Sequence, residues 1–192
     1  ATVDSNGNIT GVGYGTTTIH VVSTYDETIE CSIEVKVIRK KIMSNVLEIK
    51  RFTEEEKNEH PEYENYIVGL EPETLLLDFK NKLENEKETI HVYDMENKEI
   101  DEKPYIGTSF KVKLIYEEQV YDELTIVVRG DLDGDGIVAT TDYTKMNNYI
   151  KRAIEFNYIE SKAGDLDEDD IVATTDYTKM NNYIKRAINS LN

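Results

Sequence analysis

Six aspartates alternate with other residues in two short runs: Asp131, Asp133 and Asp135, then Asp165, Asp167 and Asp169. Carboxylates spaced two apart in a tight loop can converge on one point, and a ring of oxygens suits a hard divalent cation. The same eighteen-residue segment stands after each run. Ile137 to Ile154 reads IVATTDYTKMNNYIKRAI, and Ile171 to Ile188 reads it again. The offset is constant, 165 − 131 = 34. One acidic loop and one helix-forming segment have been copied, so a surface carried by the helix is presented twice.

Calcium takes about six to eight oxygens, and the EF-hand loop offers them from positions 1, 3, 5, 7, 9 and 12. Asp131, Asp133 and Asp135 occupy positions 1, 3 and 5 of the first loop. Ile137 serves position 7 through its backbone carbonyl, Ala139 leaves position 9 to water, and Asp142 takes position 12. The second loop supplies Asp165, Asp167, Asp169, Ile171, Ala173 and Asp176 in the same places. Asp at position 12 is shorter than the usual Glu, so the chain must come closer to the ion. Gly136 sits at position 6 of the first loop, where the turn is sharp, but Asp170 stands there in the second. Asp tolerates a positive φ at some cost. Glu168 and Asp170 add charge without being ligands. Two Ca2+ ions are expected, the second bound more weakly. An acidic turn without metal is the bland alternative; two loops in register, each leading into an amphipathic helix, outweigh it.

The segments that must position these loops divide the chain into three. From Gly130 onward, Tyr143, Met146, Tyr149, Ile150, Ala153 and Ile154 fall on one helical face, and Tyr177, Met180, Tyr183, Ile184, Ala187 and Ile188 repeat it. These stripes read as core, each helix covering the other. Residues 42–129 read as a small α+β domain. Glu54 to Glu64 is expected as a loop and Tyr66 to Val68 as a strand. Leu75, Leu76, Phe79 and Leu83 suit a helix capped by Thr74, and strands are expected at Thr89 to Tyr93, Phe110 to Tyr116 and Leu124 to Val128. Residues 1–41 read as strands, with a tight turn at Asn6 to Asn8, a polar turn at Ser23 to Glu27 and alternation through Ile33 to Val37.

Composition bounds what these parts can do. A net charge of −17 argues against nucleic acid as a partner. No stretch is apolar enough to insert into a membrane. Cys31 is the single cysteine, so no internal disulfide forms, and it reads as a small hydrophobe in a strand. His20, His60 and His91 are scattered and build no metalloprotease pair or nucleophile elbow. The chain reads as non-enzymatic, with any catalytic domain expected upstream of Ala1.

Three resemblances attach to these segments. ATVDSNGNITGVGYGTTTIHV and CSIEVKV resemble the last half of a bacterial immunoglobulin-like domain of group 2, which implies a β-sandwich fragment acting as a spacer on an extracellular protein. Residues 42–129 look like the small domain that often precedes the C-terminal module of secreted clostridial proteins. Residues 130–190, loop plus exiting helix twice over (an F-hand repeat), resemble the type I dockerin family, which makes 130–192 the expected dockerin domain. That resemblance implies an all-α, calcium-dependent, non-catalytic plug for a cohesin domain. It would attach its parent to a cellulosome-like or cell-surface scaffold outside a bacterial cell, in the setting of polysaccharide degradation. Partner-recognition residues carried over from the family are Thr140, Thr141, Asn147, Asn148, Lys151 and Arg152. The second copy supplies Thr174, Thr175, Asn181, Asn182, Lys185 and Arg186. Each alone has a duller reading, since Thr at a helix start is often a cap and Lys-Arg a solvated face. Identical copies would let a cohesin dock in two orientations. The alternative function is a purely structural or regulatory calcium-binding EF-hand module of a secreted surface protein.

Overall fold

The computed structural model describes residues 1–26, 28–101 and 105–191. Glu27, at the end of the expected polar turn, and Asn192, the last residue of the third segment, lie outside the described residues. The chain forms two compact units, Ala1–Lys40 and Lys41–Asn192.

The first unit is two antiparallel pairs. Strand β1 (Thr2–Val3) pairs with β2 (Ile9–Thr10). Their turn is held by the Asp4 carboxylate, which accepts the N–H groups of Asn6 and Asn8 at 2.8 and 2.9 Å. Strand β3 (Gly15–Val22) pairs with β4 (Glu30–Val37) over its whole length. Ile19 opposes Ile33 and Val21 opposes Cys31, so the period-two pattern puts the apolar side chains on one face. Cys31 is exposed, not covered as its alternating context suggests.

The second unit is built on a mixed five-stranded sheet. Its strands are β5 (Glu48–Lys50), β6 (Tyr66–Leu70), β7 (Ile90–Tyr93), β8 (Lys111–Tyr116) and β9 (Gln119–Val128), in the order β5-β6-β9-β8-β7. The central pair, β6 and β9, runs parallel, and the other pairs are antiparallel. Residues two apart point to one face of a sheet. Ile67, Ile126 and Val128 join a core with Val112, Leu114, Ile90 and Phe79. Their neighbours Tyr66, Val68 and Val127 point the other way, into a second core with Met146, Met180, Ile159, Leu166 and Leu191. Both faces of the two central strands are thus covered, which explains their continuous apolar runs. The duplicated helices sit on the outer face.

Several expectations are corrected. Glu54 to Glu59 is a helix, α1, because Thr53 and Glu56 form a reciprocal capping box across 3.2 and 2.7 Å. Helix α2 (Leu76–Asn81) has Leu75 at its N-cap position, with no side-chain hydrogen bond to the helix start. Thr74 instead turns its hydroxyl back to the Glu71 carbonyl at 2.6 Å. Strand β9 begins at Gln119, because Glu117 and Glu118 make a two-residue turn with φ of 48° and 64°. That turn normally uses Asn-Gly, so two glutamates gave no signal. Helices α3 (Thr140–Ile150), α4 (Tyr158–Gly164) and α5 (Thr174–Ile184) complete the unit. The apolar stripe stops with α3: Ala153 and Ile154 lie beyond its end and are exposed, as is Ala187 after α5.

Candidate functional site

The first loop brings carboxylate oxygens of Asp131, Asp133 and Asp142 within 4.8 Å of one another. Asp135 stands outside that group, its Oδ1 accepting the Ile137 N–H at 2.8 Å. The second loop gathers Asp165, Asp167 and Asp169 in the same way. Here Asp176 stands apart. Its Oδ1 accepts the Leu166 N–H at 2.6 Å and its Oδ2 accepts that of Ala173 at 2.8 Å. Asp142 does the same for Leu132 and Ala139, at 2.8 and 2.9 Å. The position-12 aspartate therefore staples the loop's start to its end, which is how the shorter side chain is brought inward. Ile137 is half-buried and Ile171 exposed at the position-7 turn.

Charge tests whether these residues fit a metal. Asp131 and Asp142 are fully buried, and burial raises the pKa of both, Asp131 to about 7. Burial also raises Asp165. Among the described residues no Lys or Arg forms an ion pair with Asp131, Asp142 or Asp165. Clustered negative charges removed from water, with oxygen the only donor atom, fit a hard dication such as calcium.

Helices α3 and α5 leave the two loops with matching geometry. The N-cap is Ala139 in one and Ala173 in the other, neither of which has a side-chain oxygen. Thr140, Thr141, Thr174 and Thr175 lie just inside the helices, exposed, and none is the cap. Asn147, Asn148, Asn181 and Asn182 are half-buried, whereas Lys151, Arg152, Lys185 and Arg186 are exposed. Tyr143 stacks on Tyr177, with ring centroids 4.1 Å apart and planes 15° off parallel. Since 143 + 34 = 177, a residue is touching its own copy. A twofold axis between the copies would produce such a contact.

A scan against protein families matches residues 129–185 to the dockerin type I domain. This segment is a type I dockerin domain. Such a domain binds a cohesin in a calcium-dependent way, and its two acidic clusters correspond to two Ca2+ ions. It is a non-catalytic domain. Searches of curated proteins and of solved structures found no match. Among the described residues no helix is long and apolar enough to cross a membrane.

The dockerin is symmetric on its helices and asymmetric on its loops. Gly134 and Gly136 have φ of 80° and 79°; their counterparts Glu168 and Asp170 hold the same left-handed backbone at 65° and 67°. Each is tied from outside the loop. Glu168 pairs with Arg129, and Asp170 with Lys162 at 2.5 Å. Hydrogen bonds to those cations hold both carboxyls below their ordinary pKa values. The sequence pointed to Asp170 but not to its partner on α4, nor to Arg129 at the end of β9. Lys145 and Lys179 were also missed: each donates to the position-2 carbonyl of its loop, Leu132 or Leu166, at 2.6 Å. Their identical recurrence was the available signal.

Arg152 and Arg186 come directly after the C-caps of α3 and α5, with φ of 58° and 57°. The next N–H groups, of Ala153 and Ala187, close on Asn148 and Asn182 carbonyls at 2.8 Å. That position favours glycine, and a larger residue in this conformation costs on the order of 1 kcal/mol. Arg152→Gly is expected to raise the stability of the calcium-loaded chain by up to about 1 kcal/mol, read as a higher midpoint in calorimetric thermal unfolding.

Proposed function

We propose that the dockerin docks its cohesin through Thr140, Thr141, Asn147, Asn148, Lys151 and Arg152, or through the copied set Thr174, Thr175, Asn181, Asn182, Lys185 and Arg186. The two sets serve alternative orientations related by half a turn. Calcium is held by Asp131, Asp133, Asp135, the Ile137 carbonyl and Asp142, and by Asp165, Asp167, Asp169, the Ile171 carbonyl and Asp176. The ions build the plug, and the helices carry recognition. The Tyr143–Tyr177 stack carries this reading, because a residue resting on its own copy is what a twofold relation between the copies would produce. Equal exposure of the two Thr pairs supports it.

The setting we infer is extracellular, with the parent protein attached to a cellulosome-like or cell-surface scaffold in a bacterium that degrades polysaccharide. Residues 1–41 fit a spacer, the closing half of an immunoglobulin-like domain. Residues 42–129 fit an α+β brace for the dockerin; the core that Tyr66, Val68 and Val127 share with Met146 and Met180 supports this. Calorimetry against a panel of cohesins is the test, first with calcium and then with EDTA. A complex of one cohesin per chain in calcium, lost on chelation, is expected. If no cohesin binds while calcium does, the alternative of a purely structural calcium module takes its place.

A further inference from the structure

The two calcium loops differ in more than sequence. The second is open: Asp167, Glu168, Asp169, Asp170 and Ile171 are all exposed. The first is covered, with Asp131, Gly134 and Gly136 buried. Its cover is made by Gly107 and Thr108, ahead of β8, and by Glu73, all outside the residues matched to the dockerin family. The Thr108 N–H donates to Asp131 Oδ2 at 2.7 Å. The Glu73 N–H donates to the Gly136 carbonyl at 2.7 Å. Gly107 lies so close that a Cβ there would stand 2.1 Å from the Gly134 carbonyl oxygen and 3.2 Å from the Gly136 nitrogen. Among the described residues nothing equivalent touches Asp165, whose donors, the N–H groups of Asp169 and Asp170, come from its own loop.

We propose that Thr108 and Gly107 are positioning residues of the first calcium site, so that the α+β domain orients a ligand of one ion, whereas its contact with the second loop, Arg129 on Glu168, reaches no ligand. The inference rests on the reading of Asp131 as a calcium ligand. Within the loop, the Gly134 N–H donates to Asp131 Oδ1 at 2.8 Å and that of Gly136 to Oδ2 at 3.2 Å. The Thr108 N–H adds the one donor from outside the loop and fixes the carboxylate's orientation from that side. Partners that orient a ligand in this way weigh heavily on affinity. Gly107 is required because only a hydrogen on its Cα lets the two backbones approach. Its own φ lies outside the left-handed region, so alanine there is opposed by the contact with the loop and not by local strain. Coupling of this kind is reciprocal. Calcium in the first loop must stiffen the Thr108 segment as much as that segment tightens calcium. The first site becomes the tight, slowly exchanging one, and the second the site that responds to calcium level.

The test is a calcium titration of the whole chain monitored by NMR, reading the Gly136 amide for the first loop and the Asp170 amide for the second. In the unaltered chain both amides should shift, the Gly136 amide at lower calcium. Gly107→Ala should weaken the first site about tenfold or more and leave the second within about twofold. Should that variant misfold, hydrogen exchange on the unaltered chain decides the matter. Calcium should slow exchange at Thr108 while leaving β7–β8 ladder amides unchanged. Equal affinities at the first site in Gly107→Ala and the unaltered chain, or exchange at Thr108 indifferent to calcium, overturns the inference. If the Gly136 amide of the unaltered chain never responds to calcium, the ligand assignment itself fails.

Discussion

Replacing Thr140 and Thr141 by alanine is expected to weaken cohesin binding by only about twofold, roughly 0.4 kcal/mol. Replacing Thr174 and Thr175 as well should abolish it. Two docking orientations of equal free energy add their association constants, so losing one halves the total. Losing both removes the paths together. The expectation stands on the matched geometry of the helices: their N-caps have φ of −134° and −138°, and their C-caps have ψ of 0° and 1°. It also stands on the hydroxyls being exposed and not used as caps, so that alanine there leaves the helix start intact. Titration calorimetry on the two paired variants and the fourfold variant, all loaded with calcium, reads the result. A complete loss of binding on changing the first pair alone would sink the two-orientation idea, as would full binding by the fourfold variant.

Arg152→Gly extends that logic. The left-handed backbone at Arg152 and Arg186 is an observed departure from what side chains prefer. Strain of this kind tends to collect where a surface is held ready for a partner. The variant that gains thermal stability should lose no more than about twofold in cohesin affinity unless Arg186 is changed too, because either arginine suffices for one orientation.

The carboxylate spacing and the duplicated helices are legible because they are local: a two-residue alternation and a 34-residue repeat need no knowledge of the rest of the chain. The capping box at Thr53 and Glu56 is equally local, but the polarity of its segment argues for a loop and masks it. The illegible part is tertiary. Thr108 reaches Asp131 through a backbone N–H, which leaves no mark on residue type. Arg129 meets Glu168 across 39 residues of chain, and neither is unusual in its own neighbourhood. The Glu117-Glu118 turn runs against turn chemistry, carried by the ladder between β8 and β9. The double coverage of β6 and β9 is half-legible: continuous apolar runs show that both faces are buried, but not what buries them. The structure answers with the dockerin on one side and Phe79 on the other.

Calcium affinity is expected to rise with pH, by about tenfold per unit for each proton displaced, between roughly pH 4 and 7. The metal-free chain should show the opposite trend. Burial lifts the Asp131 carboxyl from 3.8 to about 7. Between those values the folded, metal-free loop keeps a proton that the unfolded chain has released. Its contribution to stability is complete below about pH 4 and is lost as pH climbs toward 7. The loss for this one group is on the order of 4 kcal/mol. Asp142 and Asp165, also raised by burial, act in the same direction. Glu168 and Asp170 carry the opposite sign, but they are held below ordinary values of 4.5 and 3.8 and so act under that window. Calcium reverses the balance at neutral pH because it takes the place of the proton as the loop's positive charge. In EDTA the dockerin helices should therefore be more stable at pH 5 than at pH 7.5, while the core around Phe79 and Ile126, which contains no loop carboxylate, holds at both. Thermal unfolding in EDTA and calcium titrations over the same pH series supply the measurement. An affinity that is flat from pH 5 to 7 would mean that Asp131 is already ionised in the metal-free fold, and that burial of the first loop does not oppose its charge.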